Sequence, residues 1–311
     1  MHLIVSFAAP LADDARAALP SLAAPALARL LAGWAETRRD QGDEDTLSMP
    51  HERALAAALG WSAADGCQPW AARLAAADGI AVGSEPWGLL TPAHWRVGSD
   101  GVHLADPDAL ALSDAESRML FDALQPLFAS EGMALAWGGA LRWYAAHASL
   151  QGLATASPDR VIGRNVDRWL PRQAEARRFR RVQNEAQMLL HDHPLNAARE
   201  AAGALPVNSF WLSGCGVAQP QQADEAHLDA RLRGAALQGD WMAWRETWHA
   251  LDAQALLPLL AAAARGEPAH LTLCGERSAV ELAPRARPWW RRMIDSMWPA
   301  RPGARTMLES L

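Results

Sequence analysis

The spacing of apolar residues divides the chain into short strands and amphipathic helices. Leu3–Phe7 is a continuous apolar run that predicts a buried first strand, and the polar stretch 37–46 predicts a surface loop. Helical spacing and capping signals predict helices at 25–34, from 113 to the residue before Gly132, and at 51–59, 70–77, 172–191, 223–236, 240–251 and 253–265. Further strands are expected at 87–90, 94–97, 102–104, 133–137, 141–145, 207–212, 271–274 and 279–282. This mixture predicts an α/β fold.

The run Val207–Leu212 is flanked by residues that favour turns, because Pro206 precedes it and Gly214 and Gly216 follow it. That pattern is typical of a buried strand that ends in a tight turn. We therefore expect a central, mostly parallel or mixed sheet flanked by helices and organised around this strand. Residues 1–218 are predicted to form the α/β core, and residues 219–311 a mainly helical region with a late hairpin, packed on the same core.

Composition removes several classes of function. The 311 residues carry a net charge of −6, so nucleic acid is not an expected partner. All 29 Lys and Arg positions are arginine. This excludes P-loop NTPases, which need a lysine on the phosphates, and pyridoxal phosphate enzymes, which need a Schiff-base lysine. Three scattered cysteines indicate neither a disulfide framework nor a metal-binding pair, which favours a reducing cytoplasm. Neither a leader peptide nor a membrane span is expected, because a basic first segment and a long apolar run are both missing.

Polar side chains near the predicted strand at 207–212 suggest a site for an anion. Arginine offers a planar fork to phosphate or carboxylate, and asparagine and histidine add further donors. The candidate residues are Arg160, Arg164, Asn165, His193, Asn196, Arg199 and Asn208. A structural alternative stays open, in which Asp159 and Asp167 pair with the two nearest arginines and His193 caps the helix 172–191.

Alternation along the strand at 207–212 separates Asn208 from Trp211. We expect Asn208 to tie the 193–199 loop to the sheet or to orient an anion, and Trp211 to pack a helix against the sheet. The tryptophans at 241, 244 and 248 share one helical stripe and are expected in the core.

Other chemistry finds little support in the residue pattern. His191 and His193 lie two residues apart, and Asp192 adds a third ligand at most, so neither a metal nor another cofactor is expected. Ser213 and Cys215 stand at a strand end, yet the surrounding residues do not form a nucleophile elbow. The tail from Pro284 to Trp298 is basic and aromatic and is a candidate surface for a protein partner.

The string from His193 to Gly216, with its HPLNAAR and LPVNSFWLSGCG segments, resembles cofactor-independent phosphoglycerate mutases of the archaeal type. Residues 50–54 and 159–165 resemble a bacterial group called RpfE-type regulatory proteins, a resemblance that extends over most of the chain. The mutases belong to the alkaline-phosphatase superfamily, so the resemblance implies that fold. It also implies two metals held by aspartate and histidine clusters, together with a serine nucleophile.

The chain departs from the mutase pattern at the metal ligands. The first strand runs into Ala8-Ala9-Pro10 where the resemblance implies an aspartate, and in place of the late metal motifs stands Asp224–His227, which is isolated and one residue too tightly spaced. The leading hypothesis is therefore a non-catalytic cytoplasmic protein on a mutase-like scaffold, either regulatory or binding an anion such as a phosphorylated or carboxylate small molecule. The alternatives are a divergent metal-dependent phosphatase or mutase, and a protein–protein adaptor that uses the tail.

Overall fold

A computed structural model describes residues 1–17, 19–220, 226–285 and 304–311. The strands are β1 His2–Ala9, β2 Trp34–Gln41, β3 Trp87–Ala93, β4 Trp95–Gly98, β5 Gly101–Leu104, β6 Ala134–Gly139, β7 Arg142–Ala146, β8 Ser209–Gly216, β9 Ala226–Asp229, β10 His270–Gly275 and β11 Ser278–Pro284. The helices are α1 Asp13–Arg16, α2 Pro25–Gly33, α3 Pro50–Ala58, α4 Trp70–Ala77, α5 Asp114–Ser130, α6 Pro158–Val161, α7 Ala176–His191, α8 Pro194–Ala201, α9 Arg233–Gln238, α10 Trp241–Leu251, α11 Leu257–Ala264 and α12 Ala304–Glu309.

The chain forms two compact units. Unit 1 comprises Met1–Gly60 together with Gln221–Leu311, and unit 2 comprises Trp61–Pro220. This division differs from the predicted one, which placed residues 1–60 with the segment up to 218. The physical reason is strand pairing, because β1 pairs in parallel with both β9 and β10.

Unit 1 is built on a five-stranded mixed sheet in the order β2-β11-β10-β1-β9. β11 is antiparallel to β10 and to β2. Leu3 and Val5 face a large apolar cluster with α2, α10 and α11, whereas Ile4 faces α3. Because side chains alternate along a strand, helices cover both faces of the sheet. The predicted α/β class, with a mixed sheet flanked by helices, is confirmed.

Two predicted elements of unit 1 are wrong. The segment predicted as a helix end and a loop is strand β2, whose Glu36, Thr37 and Arg38 are exposed. As an edge strand β2 carries polar residues that hide the strand pattern. The predicted helix 223–236 contains strand β9 and the short helix α9 in its described part. The predicted hairpin at 271–282 is present as β10 and β11.

Unit 2 contains a four-stranded antiparallel sheet in the order β6-β7-β3-β8 and a separate ribbon of β4 and β5. α5 and α7 pack on one face of the sheet around Phe210 and Leu212. The strand predicted to be central is therefore an edge strand, β8. Its outer side is still buried, since the Gln183 amide on α7 donates to the Phe210 carbonyl oxygen at 2.7 Å.

The connection before β8 differs from the prediction as well. α7 begins at Ala176 rather than at residue 172, and a further helix, α8, follows it. Within the described ranges, the structure contains no helix with the length and apolar character needed to cross a membrane.

Candidate functional site

Asn196, one of the predicted anion-binding residues, is 4% exposed and bonded to backbone. Its side-chain Nδ2 donates to the carbonyl oxygens of Leu190 and Val207, both at 2.7 Å, and its Oδ1 accepts from the Val207 N–H at 2.9 Å. These bonds join the end of α7, helix α8 and the approach to β8. The loop is tied to the sheet here by Asn196, the role that the sequence suggested for Asn208.

Arg199 is buried beneath the same helix. Its Nε donates to the Leu205 carbonyl oxygen at 3.0 Å, and its Nη1 lies 2.6 Å from Glu116 Oε1. The remaining Nη2 donates to the Leu110 carbonyl oxygen. Hydrogen bonds from Ser113, and then from Arg199, hold the pKa of Glu116 below its ordinary value. Arg199 thus joins α8 to the first turn of α5.

Asn208 and His193 also bond to nearby backbone. Asn208 pairs with Trp95 of β4 at two points, through Oδ1 to the Trp95 N–H at 2.7 Å and through Nδ2 to its carbonyl oxygen at 2.9 Å. His193 Nδ1 accepts from the Leu195 N–H at 3.2 Å, so it caps the start of α8. Its backbone N–H also donates to the Leu190 carbonyl oxygen in the last turn of α7 at 3.2 Å, so His193 contacts the ends of both helices.

Arg160, Arg164 and Asn165 lie around α6 and the turn that follows it. Arg160 is 1% exposed, whereas Arg164 is exposed. Asn165 caps the next turn by accepting from the Asp167 N–H at 2.9 Å and donates to the Asp100 carbonyl oxygen at 3.3 Å. The other five predicted residues, Asn165, His193, Asn196, Arg199 and Asn208, thus form hydrogen bonds with separate backbone segments.

Replacement of Asn196 by alanine tests this structural role. Because the N–H and carbonyl oxygen of Val207 would lose this partner and the Leu190 carbonyl oxygen one of its two donors, we expect the free energy of unfolding to fall by about 2–4 kcal/mol, against about 1–2 kcal/mol for Asn208→Ala. Urea unfolding measures both, and Asn184→Ala, at an exposed position of α7, is the matched control. Equal, small losses for Asn196→Ala and Asn184→Ala would contradict this role.

The glycines after the predicted strand serve packing. Gly214 has φ +63°, and a Cβ there would lie 2.9 Å from the Ala71 nitrogen and from the Trp70 Cβ. The start of α4 can therefore approach β8 only because this residue lacks a side chain. Burial raises the pKa of the Cys215 thiol to about 12, so it stays protonated and is a poor nucleophile.

A cavity of about 310 Å³ adjoins this end of β8, and its lining carries no charged side chain. Its polar residues are Ser62, Gln151 and Gln219, and two of them bond to each other. The Gln219 amide accepts from the Ser62 N–H and donates to the Ser62 carbonyl oxygen, both at 3.2 Å. A lining of this kind offers no positively charged side chain to bind a phosphate or carboxylate.

The carboxyl end of β1, where open α/β sheets usually bind ligands, is closed by indole rings. The Trp244 Nε1–H donates to the Phe7 carbonyl oxygen at 3.0 Å, and the Trp248 Nε1–H donates to the Ala8 carbonyl oxygen at 3.2 Å. Both tryptophans are 0% exposed, which confirms the prediction that this stripe belongs to the core.

The donor set at this edge does not fit the two-metal centre that the resemblance implies. At the end of neighbouring β9, Asp229 is bonded through both oxygens to Arg231, the closest pair at 2.6 Å. Burial acts to raise the pKa of Asp229, but these hydrogen bonds hold it below its ordinary value. Among the described residues, the structure shows no cluster of three His, Cys, Asp or Glu side chains able to hold a metal. Asp224 and Glu225 lie outside those residues.

A cavity lined by ionisable side chains, which the sequence did not suggest, lies in unit 1 between α3 and the face of the sheet. Its volume is about 340 Å³. The polar side chains that line it are His2, Arg38, Asp40, His270, Thr272 and Glu281. They come from four strands that are far apart in the chain, so the signal becomes visible only once the register of the sheet is known. The predicted partner surface at 284–298 lies outside the described residues except for Pro284 and Arg285.

The chain is similar in sequence to two curated mutases. It is 29% identical to the probable 2,3-bisphosphoglycerate-independent phosphoglycerate mutase of Geobacter sulfurreducens over 133 residues, which are 42% of this chain and 33% of that protein. It is 27% identical to the 2,3-bisphosphoglycerate-independent phosphoglycerate mutase of Methanosarcina mazei over 117 residues, which are 37% of this chain and 30% of that one. The chain thus spans about a third of the length of these relatives. The predicted resemblance to cofactor-independent mutases is confirmed as distant homology.

Two solved structures resemble the chain weakly. A cofactor-independent phosphoglycerate mutase from Thermoplasma acidophilum gives a TM-score of 0.38 at 14% identity, covering 100% of this chain and 98% of that one. The PH0037 protein from Pyrococcus horikoshii gives 0.49 at 11% identity, covering 91% and 87%. These scores are too low to assign a fold on their own. No family model matches the chain, and the RpfE-type resemblance stays a prediction.

Proposed function

We propose that this chain is a non-catalytic cytoplasmic regulator that binds a phosphorylated or carboxylate small molecule on a scaffold derived from the phosphoglycerate mutases. The homology supports the scaffold, and a cavity lined by imidazole, guanidinium and carboxylate groups supports the binding of a small polar molecule. The three free cysteines are compatible with a reducing compartment.

The closed carboxyl edge of the unit 1 sheet carries the proposal. Two-metal phosphoryl transfer needs several carboxylate and imidazole ligands directed at one place. Here β1 ends in alanines whose neighbouring carbonyl oxygens are bonded to buried indoles, and the carboxylate of Asp229 is held by Arg231. Among the described residues, the groups at this edge are therefore already bonded within the protein, which supports a non-catalytic role.

Activity and metal content test the absence of catalysis directly. We expect the purified full chain to show no mutase activity on 3-phosphoglycerate and no phosphatase activity on p-nitrophenyl phosphate, with or without Mn²⁺, Co²⁺ or Zn²⁺. Metal analysis after dialysis should find much less than one ion per chain.

The distant homology favours one competing function, a divergent metal-dependent phosphatase or mutase. Turnover that depends on a stoichiometric metal and is lost in Asp229→Asn would overturn the proposal in favour of that function. Turnover that persists unchanged in Asp229→Asn would point to a contaminating enzyme, and a repeat with protein from a second purification scheme must then show none for the proposal to stand.

A further inference from the structure

The cavity of unit 1 is organised as a row of polar side chains across four adjacent strands. His2 on β1 is paired in register with His270 on β10, and their rings lie 5.6 Å apart. On the next pairs, Thr272 lies opposite Glu281, and Glu281 lies opposite Arg38. Because these residues occupy one face of the sheet beside α3, their side chains can reach one ligand.

Hydrogen bonds inside the row fix its interior members. His2 Nε2 lies 2.7 Å from Thr272 Oγ1, and His270 Nδ1 lies 3.2 Å from Glu281 Oε1. Each ring therefore keeps one nitrogen for another partner. Burial lowers the pKa of His2, so its ring is neutral near neutral pH.

Arg38 at the end of the row differs from its neighbours. Among the described residues its guanidinium group forms no hydrogen bond or ion pair, although Glu281 lies directly across on β11. The other carboxylate of the cavity, Asp40, is already paired with Arg53 at 2.7 Å. The row thus offers an available guanidinium beside a carboxylate that has a second oxygen to spare.

This charge pattern selects between the two anions of the proposed function, on which the inference rests. A phosphate dianion bound at Arg38 would face the Glu281 carboxylate and be repelled. A carboxylate carries only one negative charge, so Glu281 repels it less than it repels a phosphate dianion. Its two oxygens also match the two N–H groups on one side of the guanidinium. A hydroxyl or ammonium group beside that carboxylate could donate to Glu281.

We propose that this cavity binds a small hydroxy acid or amino acid, with its carboxylate on the Arg38 guanidinium and its neighbouring hydroxyl or ammonium group on the Glu281 carboxylate. The imidazoles of His2 and His270 line the remaining wall and accept or donate through their spare nitrogens. A cavity of about 340 Å³ is large enough for such a molecule with a side chain.

Binding of four simple probes to the full chain tests the proposal. Glycine, glycolate, acetate and inorganic phosphate are titrated while the ring-proton NMR signals of His2 and His270 are followed. We expect glycine or glycolate to shift both signals and to bind about fivefold more tightly than acetate, the ratio that corresponds to about 1 kcal/mol for the extra hydrogen bond. Inorganic phosphate should bind more weakly than glycine and more weakly than glycolate. Glycine and glycolate distinguish the amino acid from the hydroxy acid.

Arg38→Gln supplies the decisive variant, since it removes the charge at an exposed position on the edge strand. We expect it to weaken binding at least about tenfold, as loss of a charge-assisted pair implies. Arg29→Gln, at an exposed position of α2, should bind like the wild type. Equal thermal midpoints for the two variants show that both are folded.

Two results would overturn this inference and leave the proposed function standing. One is tighter binding of phosphate than of glycine or glycolate at the two histidines. The other is equal binding by wild type and Arg38→Gln. Failure of all four probes to shift either histidine would remove the site itself. Metal-dependent turnover, in contrast, would contradict the proposed function, and the NMR result would not change that outcome.

Discussion

Truncation of Trp211 to alanine is expected to lower the free energy of unfolding by about 3–5 kcal/mol, the usual cost of removing a large buried aromatic side chain. Trp211 is 1% exposed on β8, and its indole N–H donates to the Ala156 carbonyl oxygen at 2.9 Å. Its ring also lies 6.3 Å from that of Trp95. The truncation would therefore open a cavity and leave a buried carbonyl group without its donor.

Urea unfolding followed by circular dichroism measures this loss. Trp211→Phe keeps a six-membered aromatic ring but removes the five-membered ring with its N–H, so it should cost less than Trp211→Ala. Met188→Ala, at a side chain that is 72% exposed on α7, should change the free energy of unfolding by less than about 0.5 kcal/mol. A loss below about 1 kcal/mol for Trp211→Ala would show that Trp211 does not hold this part of unit 2.

Burial of Trp211 was predictable from the sequence, but its neighbours were not. Alternation along the strand places Phe210 and Trp211 on opposite faces. Phe210 takes the predicted helix-packing role, with its ring 5.7 Å from Phe128 of α5, whereas Trp211 faces Trp95 and the Ala156 carbonyl. Which side of a strand receives a helix depends on the order of the sheet, and the local pattern does not contain that order.

The elements that the sequence predicts best are those whose signal is local. The capping box of Ser113 and Glu116 does begin a helix, and the apolar run of β1 does form a buried strand. Strand β2 escaped prediction because its partner is β11, more than two hundred residues later in the chain. An edge strand is exposed to water on one side and can carry polar residues there. Their spacing in the sequence therefore does not distinguish the strand from a loop.

The candidate site shows the same limit more sharply. Asparagine and arginine were correctly identified as groups that need partners, but a sequence does not reveal whether a donor meets a ligand or a carbonyl oxygen. Asn196 and Arg199 meet carbonyl oxygens, because the loops around them are buried and must satisfy their backbone. The cavity of unit 1 could not be predicted, because its residues are far apart in the sequence. Its His2, Arg38 and Glu281 are brought together only by the pairing of distant strands.

Replacement of Arg199 by alanine is expected to destabilise the chain by about 3–5 kcal/mol, because two carbonyl oxygens lose a charged donor, at about 1–3 kcal/mol each, and the packing of the side chain is lost. The Arg199 side chain is 5% exposed, and it bridges α8 to α5 through Glu116 and two carbonyl oxygens. Most of the loss should come from the carbonyl oxygens of Leu110 and Leu205, since Glu116 keeps its hydrogen bonds from Ser113. Arg199→Lys should recover part of the stability, because an ammonium group can meet only some of these acceptors.

The pH dependence of stability reports on the Glu116 carboxylate, which accepts hydrogen bonds first from Ser113 and then from Arg199. Because the folded chain holds the pKa of Glu116 below its ordinary value of 4.5, this carboxylate stabilises the folded state above that pH, and the contribution is lost as the pH falls through the lowered pKa. Wild type should therefore lose more stability than Glu116→Gln between about pH 5 and pH 3. Arg29→Gln, which removes an exposed positive charge elsewhere in the chain, should follow the wild-type curve. If Glu116→Gln and wild type lose stability in parallel, the Glu116 carboxylate does not stabilise the fold, and the cost of Arg199→Ala must come from its backbone contacts alone.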